Sequence, residues 1–380
     1  MFNIVINVSN ISSSYCYSLI RVEPYTSCNY GCVYCYARWY RENGKPKPYF
    51  KVLNQFKSLA KKIKLAGLKP IPARLSTLSD PFQPDEARFK LSLKILRLAL
   101  KYQYPVVVNS KSVILIQEPW IKVLKQLAIE GLTLFQVSIS TLSREAALKL
   151  EPNAPPPEER LKVALKLSSL NIPVVVRISP YFPGLSLKPS PEELVNILAK
   201  AGVRHVMVES IRTEAGMIEK LGLTSIPLES YSFRLEDYGY PVVKPALQAK
   251  LGEYLKLKSL LKDYGITFAT CKEGLFSLHT AKDCCGFYLL NCDYVKRPTL
   301  YEYYLASLKT SIPVNSLPPL SENYIYGEKL SSYPRILRKP LKNHEKRLIK
   351  VASELNILSK LTPELTIKNG EIRLKPILNF

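Results

Sequence analysis

Cys28, Cys32 and Cys35 stand in the stretch SCNYGCVYCYAR with the spacing C-x3-C-x2-C. Thiolates are soft ligands that favour zinc, copper(I) and iron–sulfur clusters. A closed structural zinc site takes four ligands, one more than the loop offers. A cubane iron–sulfur cluster is usually held by four cysteines, so a loop with three leaves one iron open to a non-protein ligand. Gly31 supplies the backbone freedom that such a tight wrap needs beside Cys32. The alternative is zinc completed by a distant residue. The three histidines, His205, His279 and His344, stand in no zinc-finger spacing with the cysteines.

A second group, Cys271, Cys284, Cys285 and Cys292, lies about 235 residues further on, with the spacing C-x12-C-C-x6-C. Four thiolates suit an auxiliary iron–sulfur cluster or a structural zinc site. Buried thiols or a disulfide are the plainer alternative, because neighbouring side chains such as those of Cys284 and Cys285 diverge in an extended chain. Cys16, the eighth cysteine, reads as core packing. Eight cysteines clustered in 380 residues do not form the framework of a small secreted domain. No signal-peptide pattern opens the chain and no membrane span is expected, so the expected location is cytoplasmic.

Lys and Arg number 54 against 31 acids, a formal charge of +23. Such an excess points to nucleic acid or another polyanion as a partner, although a basic, archaeal-like proteome gives the same balance. Both ends are more basic than the middle: residues 1–70 carry a net +9 and residues 296–380 a net +8. The stretch ARWYRENGKPKPYFK, residues 37–51, interleaves Arg38, Arg41, Lys45 and Lys47 with Trp39, Tyr40, Tyr49 and Phe50. Cations mixed with stacking surfaces suit unpaired nucleotides, but a loop whose aromatics pack on the domain has the same composition.

These residues need elements to hold them. Apolar β-branched runs alternate with amphipathic helices from residue 16 to 210. Strands are expected at 16–23, 72–77, 105–110, 132–140, 172–179 and 203–210. Helices are expected at 50–67, 85–102, 119–131, in two pieces around 144–170, and at 191–201. Ser190, Pro191 and Glu193 read as an N-cap, first-turn proline and capping box. The alternation implies an α/β fold with a parallel sheet, and it puts the cysteine loop at the C-terminal end of the first strand, where such folds bind ligands. A helix at 245–265 and a strand at 266–271 follow. Residues 296–342 read as an extended wrap, followed by a helix at about 343–359 and a hairpin turning at Asn369-Gly370. The main domain is expected over 1–295 and a C-terminal extension over 296–380.

The cysteine spacing after a first strand resembles the radical S-adenosylmethionine (radical SAM) superfamily. The segments EPYTSCNYGCVYCYAR, TLSDPFQPDE, NSKS, VSISTLSREAALKLEPNAPPPEERL and VVVRISPYFPG, in that order over about 21–210, resemble its spore photoproduct lyase-like branch. The resemblance implies a partial (β/α)6 TIM-type barrel. It implies a 4Fe-4S cluster on Cys28, Cys32 and Cys35, with S-adenosylmethionine on the open iron. Reductive cleavage of that cofactor to a 5′-deoxyadenosyl radical would then be followed by hydrogen abstraction from a substrate. An electron donor such as ferredoxin or flavodoxin is implied with it. Tyr34 falls at the aromatic position beside the adenine. Ser79-Asp80-Pro81 replaces the usual Gly-Gly-Glu segment, which makes Asp80 a polar partner for the methionine amino group, with Thr77 and Ser79 behind it. Ser110, Lys111, Ser138, Ser140, Arg160 and Arg177 are candidate cofactor contacts, and Glu151 shares a segment with Arg160.

The chain also departs from that branch. The lyase relies on a cysteine hydrogen donor beyond the cluster loop, and no cysteine lies between Cys35 and Cys271. Thymine-dimer repair is therefore not the expected reaction. A nucleic-acid substrate remains the leading expectation from charge. A non-catalytic iron–sulfur or zinc nucleic-acid-binding protein on the same barrel is the alternative.

Overall fold

The computed structural model describes residues 14–17, 20–39, 44–221, 226–231 and 242–375. Six strands follow the expected runs: β1 (Ile20–Val22), β2 (Ala73–Leu75), β3 (Val106–Ser110), β4 (Thr133–Ser138), β5 (Val174–Tyr181) and β6 (Val203–Ser210). A small antiparallel sheet interrupts the pattern, made of β7 (Thr213–Glu214), β8 (Leu228–Ser230) and β9 (Val242–Pro245). Strand β10 (Thr267–Thr270) then rejoins the large sheet, whose order is β1-β2-β3-β4-β5-β6-β10, parallel throughout. The barrel is partial: β1 and β10 are its two unpaired edges.

The helices are α1 (Lys51–Leu65), α2 (Asp85–Phe89), α3 (Leu91–Tyr102), α4 (Trp120–Ile129), α5 (Arg144–Leu150), α6 (Pro157–Ser168), α7 (Pro191–Lys200), α8 (Ala215–Lys220) and α9 (Leu251–Asp263). One face of α1 is apolar, and Val52, Phe56, Leu59, Ala60 and Ile63 are buried along it. In α7 the Ser190 hydroxyl accepts from the Glu193 N–H at 3.1 Å, the cap read from the sequence.

The helix expected over 85–102 is two helices. Lys90 adopts a left-handed backbone, φ +52°. The cause is the buried Glu86 carboxylate, which accepts from the Ser92 and Leu93 N–H groups at 3.0 and 2.9 Å and so starts a new helix there. It also accepts from the Tyr25 hydroxyl and Trp120 Nε1. The helix expected from 245 starts at Leu251 instead, because 242–245 pairs as β9.

The strands are covered on both faces. Val106, Val108, Phe135, Val137, Val174, Val176, Val206, Val208 and Phe268 pack into the core shared with the surrounding helices. Their alternates Val107, Leu134, Val175, Met207 and Ala269 line the inner face. What fills that inner face comes from later in the chain: Cys271, Phe276, Cys284, Cys285, Phe287 and residues of the extension.

The extension is more helical than expected. The segment read as a wrap contains α10 (Leu300–Ser307), started by a capping box between Thr299 and Glu302. Helix α11 (Arg335–Ser353) begins eight residues before the expected start and runs through Pro340. A proline that far inside a helix is unusual, because it removes a backbone donor. Helix α12 (Leu355–Leu361) follows, then the hairpin β12 (Leu365–Lys368) and β13 (Glu371–Leu374), with β11 (Ile312–Pro313) as a third strand. Asn369 and Gly370 both have positive φ, as a two-residue hairpin turn requires. Leu348, Val351, Leu358, Leu361 and Ile372 belong to the same core as the inner face of the sheet. The stretch beyond 295 thus shares a core with the barrel. Among the described residues no helix is long and apolar enough to cross a membrane.

Candidate active site

The cysteine loop leaves β1 at the C-terminal edge of the sheet. Glu23, just past β1, accepts from the N–H groups of Thr77 and Leu78 at 2.7 and 3.1 Å and from the Ser76 and Thr77 hydroxyls. This one buried carboxylate fixes the loop after β2. Ser79 adds a contact from its hydroxyl to the Tyr25 carbonyl, and the Thr77 carbonyl accepts from the Tyr36 hydroxyl.

Two flanks hold the loop itself. On one side Gln83 donates to the Ser27 carbonyl and accepts the Asn29 N–H, at 2.9 and 2.8 Å. On the other, the Val33 N–H donates to the Leu150 carbonyl and the Asn153 N–H to the Tyr30 carbonyl. Gly31 has φ +63°, a left-handed backbone that favours glycine, and a Cβ there would crowd the Asn153 side-chain nitrogen at 3.2 Å. Cys28, Cys32 and Cys35 are each half-buried.

Asp80 joins the loops after β2 and β3. Its carboxylate accepts from the Ser110 hydroxyl at 2.7 Å, the Lys111 N–H at 2.7 Å and the Phe82 N–H at 2.9 Å. Burial raises its pKa, and these donors pull it back. Its own N–H lies 3.5 Å from Cys28 Sγ. The Lys111 ammonium reaches across to the Ser138 hydroxyl at 3.0 Å. Burial pushes the Cys32 thiol up to about 12, against the pull of the Lys111 charge.

Tyr34, Ser140, Glu151 and Arg160 form one buried network. The Tyr34 hydroxyl and, at 2.8 Å, the Ser140 hydroxyl donate to Glu151, which is ion-paired with Arg160. Arg160 also donates to the Pro155 and Ser138 carbonyls at 2.6 and 3.0 Å. Burial works against the Glu151 charge, yet the Lys111 and Arg160 cations hold its carboxyl below the usual range. The Arg160 side chain is 1% exposed. Of the residues expected to touch a cofactor, Arg160 and Ser140 therefore act on Glu151 and the backbone. Tyr34 meets Phe182 edge-on at 5.7 Å.

Arg177 lies on the same rim in a cationic cluster the sequence did not single out. Glu209, at the end of β6, receives Arg177 Nη2 at 3.2 Å, Lys272 Nζ at 3.1 Å and Arg212. Three cations share that carboxylate. Burial opposes ionisation of Tyr231, but the nearby Arg212, Lys272 and Lys244 charges hold its hydroxyl below the usual tyrosine range. Glu209 follows Met207 by two residues on the inner face, which is the sequence signal that could have found it.

The basic–aromatic stretch has a largely structural role where it is described. Arg38 donates to the Val33 and Cys35 carbonyls and pairs with Glu214, and Trp39 Nε1 donates to Glu214 at 2.9 Å. Tyr49 packs on the main core. Tyr40 and Arg41 lie outside the described residues.

The second cysteine group is only partly the one expected. Cys284 and Cys285 lie with their sulfurs 3.9 Å apart. Cys284 also contacts Cys271, and Cys285 contacts Cys16. Arg74 Nη2 lies 3.4 Å from Cys285 Sγ, and Gln136 donates to the Cys285 carbonyl at 2.6 Å. Cys292 is half-buried, and burial followed by the neighbouring Asp293 charge pushes its thiol up to about 11. Cys16 thus joins the run Cys271–Cys284–Cys285.

Among the described residues no three His, Cys, Asp or Glu side chains converge on one metal-ion position. A mononuclear zinc site needs that convergence. Cysteines that each bind a different iron of a cluster do not. The first loop fits such a cluster by its donor set, three half-buried thiols on one rim, and by the N–H aimed at Cys28.

Comparison with known proteins places these features. An uncharacterised protein of Acidianus two-tailed virus is 31% identical over 147 residues, 38% of this chain and 46% of that one. An uncharacterised protein of Methanocaldococcus jannaschii is 27% identical over 168 residues, 43% of this chain and 61% of that one. The chain thus spans about half the length of these curated relatives. Among solved structures, it is similar to spore photoproduct lyase complexed with dinucleoside spore photoproduct, at 15% identity and TM-score 0.49, covering 67% of this chain and 77% of that one. It is similar also to SuiB of Streptococcus suis bound to S-adenosylmethionine, at 17% identity and TM-score 0.43, covering 68% and 52%. Residues 22–194 match the family model described as Radical SAM superfamily, and the match runs from β1 through the cysteine loop to α7. Over that stretch the chain is similar to the radical SAM superfamily.

Proposed function

We propose that this chain is a radical S-adenosylmethionine enzyme whose substrate is an anion of nucleic-acid type. The observation that carries the reading is the three-thiol loop on the sheet's C-terminal rim, inside the matched family stretch. Cys28, Cys32 and Cys35 would hold a 4Fe-4S cluster. When bound with S-adenosylmethionine, it supplies one-electron cleavage of the sulfonium to a 5′-deoxyadenosyl radical.

The protein's part is placement. Glu23 and Asp80 fix the loops around the thiols, and the Glu151–Arg160 pair holds the loop's far flank. Lys111, held by the Ser138 hydroxyl, supplies a cation on the rim for a carboxylate. Arg177, Arg212 and Lys272 outnumber Glu209 three to one, which favours a substrate carrying negative charge. The overall charge of +23 supports the same class.

Anaerobic reconstitution is expected to give about four iron per chain and 5′-deoxyadenosine under strong reduction. The Cys28→Ala, Cys32→Ala and Cys35→Ala proteins should lose both. A Cys28→Ala protein that still cleaved the cofactor at the wild-type rate would overturn the reading. For the substrate class, Arg212→Gln and Lys272→Gln should weaken oligonucleotide binding and leave cofactor cleavage without substrate unchanged.

A further inference from the structure

Helix α11 carries seven Lys and Arg against one Glu. Leu337, Leu341, His344, Leu348 and Val351 turn inward and are buried. Arg335, Arg338, Lys339, Lys342 and Lys346 fall at i, i+3, i+4, i+7 and i+11, the spacing of one helix face. With Asn343 they line a shallow groove. Among the described residues none of these five is in an ion pair. A helix face that serves solubility mixes both signs. This one does not. Arg338 is also pre-set: its Nε and Nη2 donate to the Tyr333 carbonyl at 3.3 and 3.1 Å, which fixes the guanidinium without neutralising it.

We infer that the outer face of α11 binds the phosphate backbone of a nucleic acid. Arg335 to Lys346 spans eleven residues, about 16 Å at 1.5 Å per residue. A duplex carries a phosphate about every 3.4 Å of its axis on each strand, so a face of this length is long enough to meet several of them. A membrane is the poorer fit, because a surface-bound helix turns its apolar side to the lipid and this one buries that side in protein. The position adds to the argument. Tyr333, just before α11, donates to the Lys69 carbonyl, ahead of β2 and so at the end of the sheet away from the cysteine loop. The surface therefore tethers nucleic acid without occupying the rim. The inference rests on the substrate class proposed above but not on the chemistry.

The test uses the full chain and a duplex DNA of about 30 base pairs, followed by fluorescence anisotropy across a salt series. Lys339→Glu/Lys342→Glu/Lys346→Glu is expected to weaken binding at least about tenfold at about 0.15 M salt and to flatten the salt slope by about 3. Lys57→Glu/Lys61→Glu/Lys64→Glu on exposed positions of α1 changes net charge equally and should have a much smaller effect. The milder Lys339→Gln/Lys342→Gln/Lys346→Gln protein guards against misfolding and should show the same trend. Equal losses in both charge-reversed proteins would reduce the effect to net charge and overturn the inference. So would wild-type protein that does not bind the duplex, or that binds phosphatidylserine vesicles in its place through the same lysines. Cofactor cleavage measured on the same variants should be unchanged. Its loss in wild type would count against the proposed chemistry alone.

Discussion

The backbone N–H of Asp80 points at the sulfur of Cys28 from 3.5 Å, while the carboxylate of the same residue grips the end of β3. One residue therefore couples a candidate cluster ligand to the sheet. An N–H directed at a thiolate favours its charged form, and hydrogen bonds around a cluster tune it. The usual role imagined for this position is contact with the cofactor. The geometry adds a positioning role that exists before any cofactor arrives.

Replacing Asp80 with Ala should accordingly harm the apo-protein. The Ser110 hydroxyl and the Phe82 and Lys111 N–H groups lose their acceptor, and leaving buried donors unmet costs about 1–3 kcal/mol. The unfolding free energy should fall by that amount, seen as a lower denaturant midpoint, and iron retention after gel filtration should fall with it. Asp80→Asn keeps an acceptor and should lie between. Unchanged stability with lost cofactor cleavage would make Asp80 a pure ligand contact.

The Glu151–Arg160 pair gives a larger expected effect. Both side chains are buried, and removing one partner of such a pair costs about 3–5 kcal/mol because the other charge is left uncompensated. Glu151→Ala should reach that range, and it also strips the Tyr34 and Ser140 hydroxyls of their acceptor. The double variant Glu151→Ala/Arg160→Met should recover part of the loss. Urea denaturation followed by circular dichroism measures both.

These two clamps mark the limit of what the sequence made legible. The sheet strands and the cysteine loop were readable because their signals are local: β-branched runs, helical periodicity and thiol spacing. Glu86 was invisible as a helix breaker because its partners, Tyr25 and Trp120, come from other elements. Cys16 was assigned to packing because its partner Cys285 is remote in sequence, and Arg74 meets the same cysteine across 211 residues. The α11 start was missed because Pro340 reads as a boundary, and the tertiary packing of Leu337 and Leu341 overrides it.

The inner thiols bear on how many clusters the chain holds. Cys271, Cys284 and Cys285 are buried in the core that fills the sheet, and Gly286 is so close to Val175 that a Cβ would sit 2.9 Å from it. A second cluster would have to open that packing. Reconstituted protein should therefore carry about four iron, and Cys284→Ala/Cys285→Ala should keep that number. About eight iron in wild type, falling to about four in this variant, would establish an auxiliary centre.

His205 gives a pH signature that does not depend on any cofactor. It is fully buried on β6, with Nδ1 2.9 Å from the Thr267 hydroxyl, Nε2 3.4 Å from the Cys284 carbonyl and the Tyr288 ring edge-on at 5.8 Å. Burial lowers its pKa to about 4, from an unfolded value of 6.5. A base depressed by folding is held neutral in the native state, so its contribution is fully present above pH 6.5 and is lost as pH falls towards 4. Each pH unit in that window is worth about 1.4 kcal/mol, so the whole span reaches about 3 kcal/mol. Other buried groups titrate in the same range: Asp283, raised to about 6 chiefly by burial, acts in the opposite sense, while His279 and His344, lowered chiefly by burial, act in the same one. The difference between wild type and His205→Gln removes them. That difference in unfolding free energy should be flat above pH 7 and shift against wild type as pH falls from 6.5 to 4. Parallel curves across that window would show that His205 stays neutral in the unfolded chain or charged in the folded one, contrary to its burial.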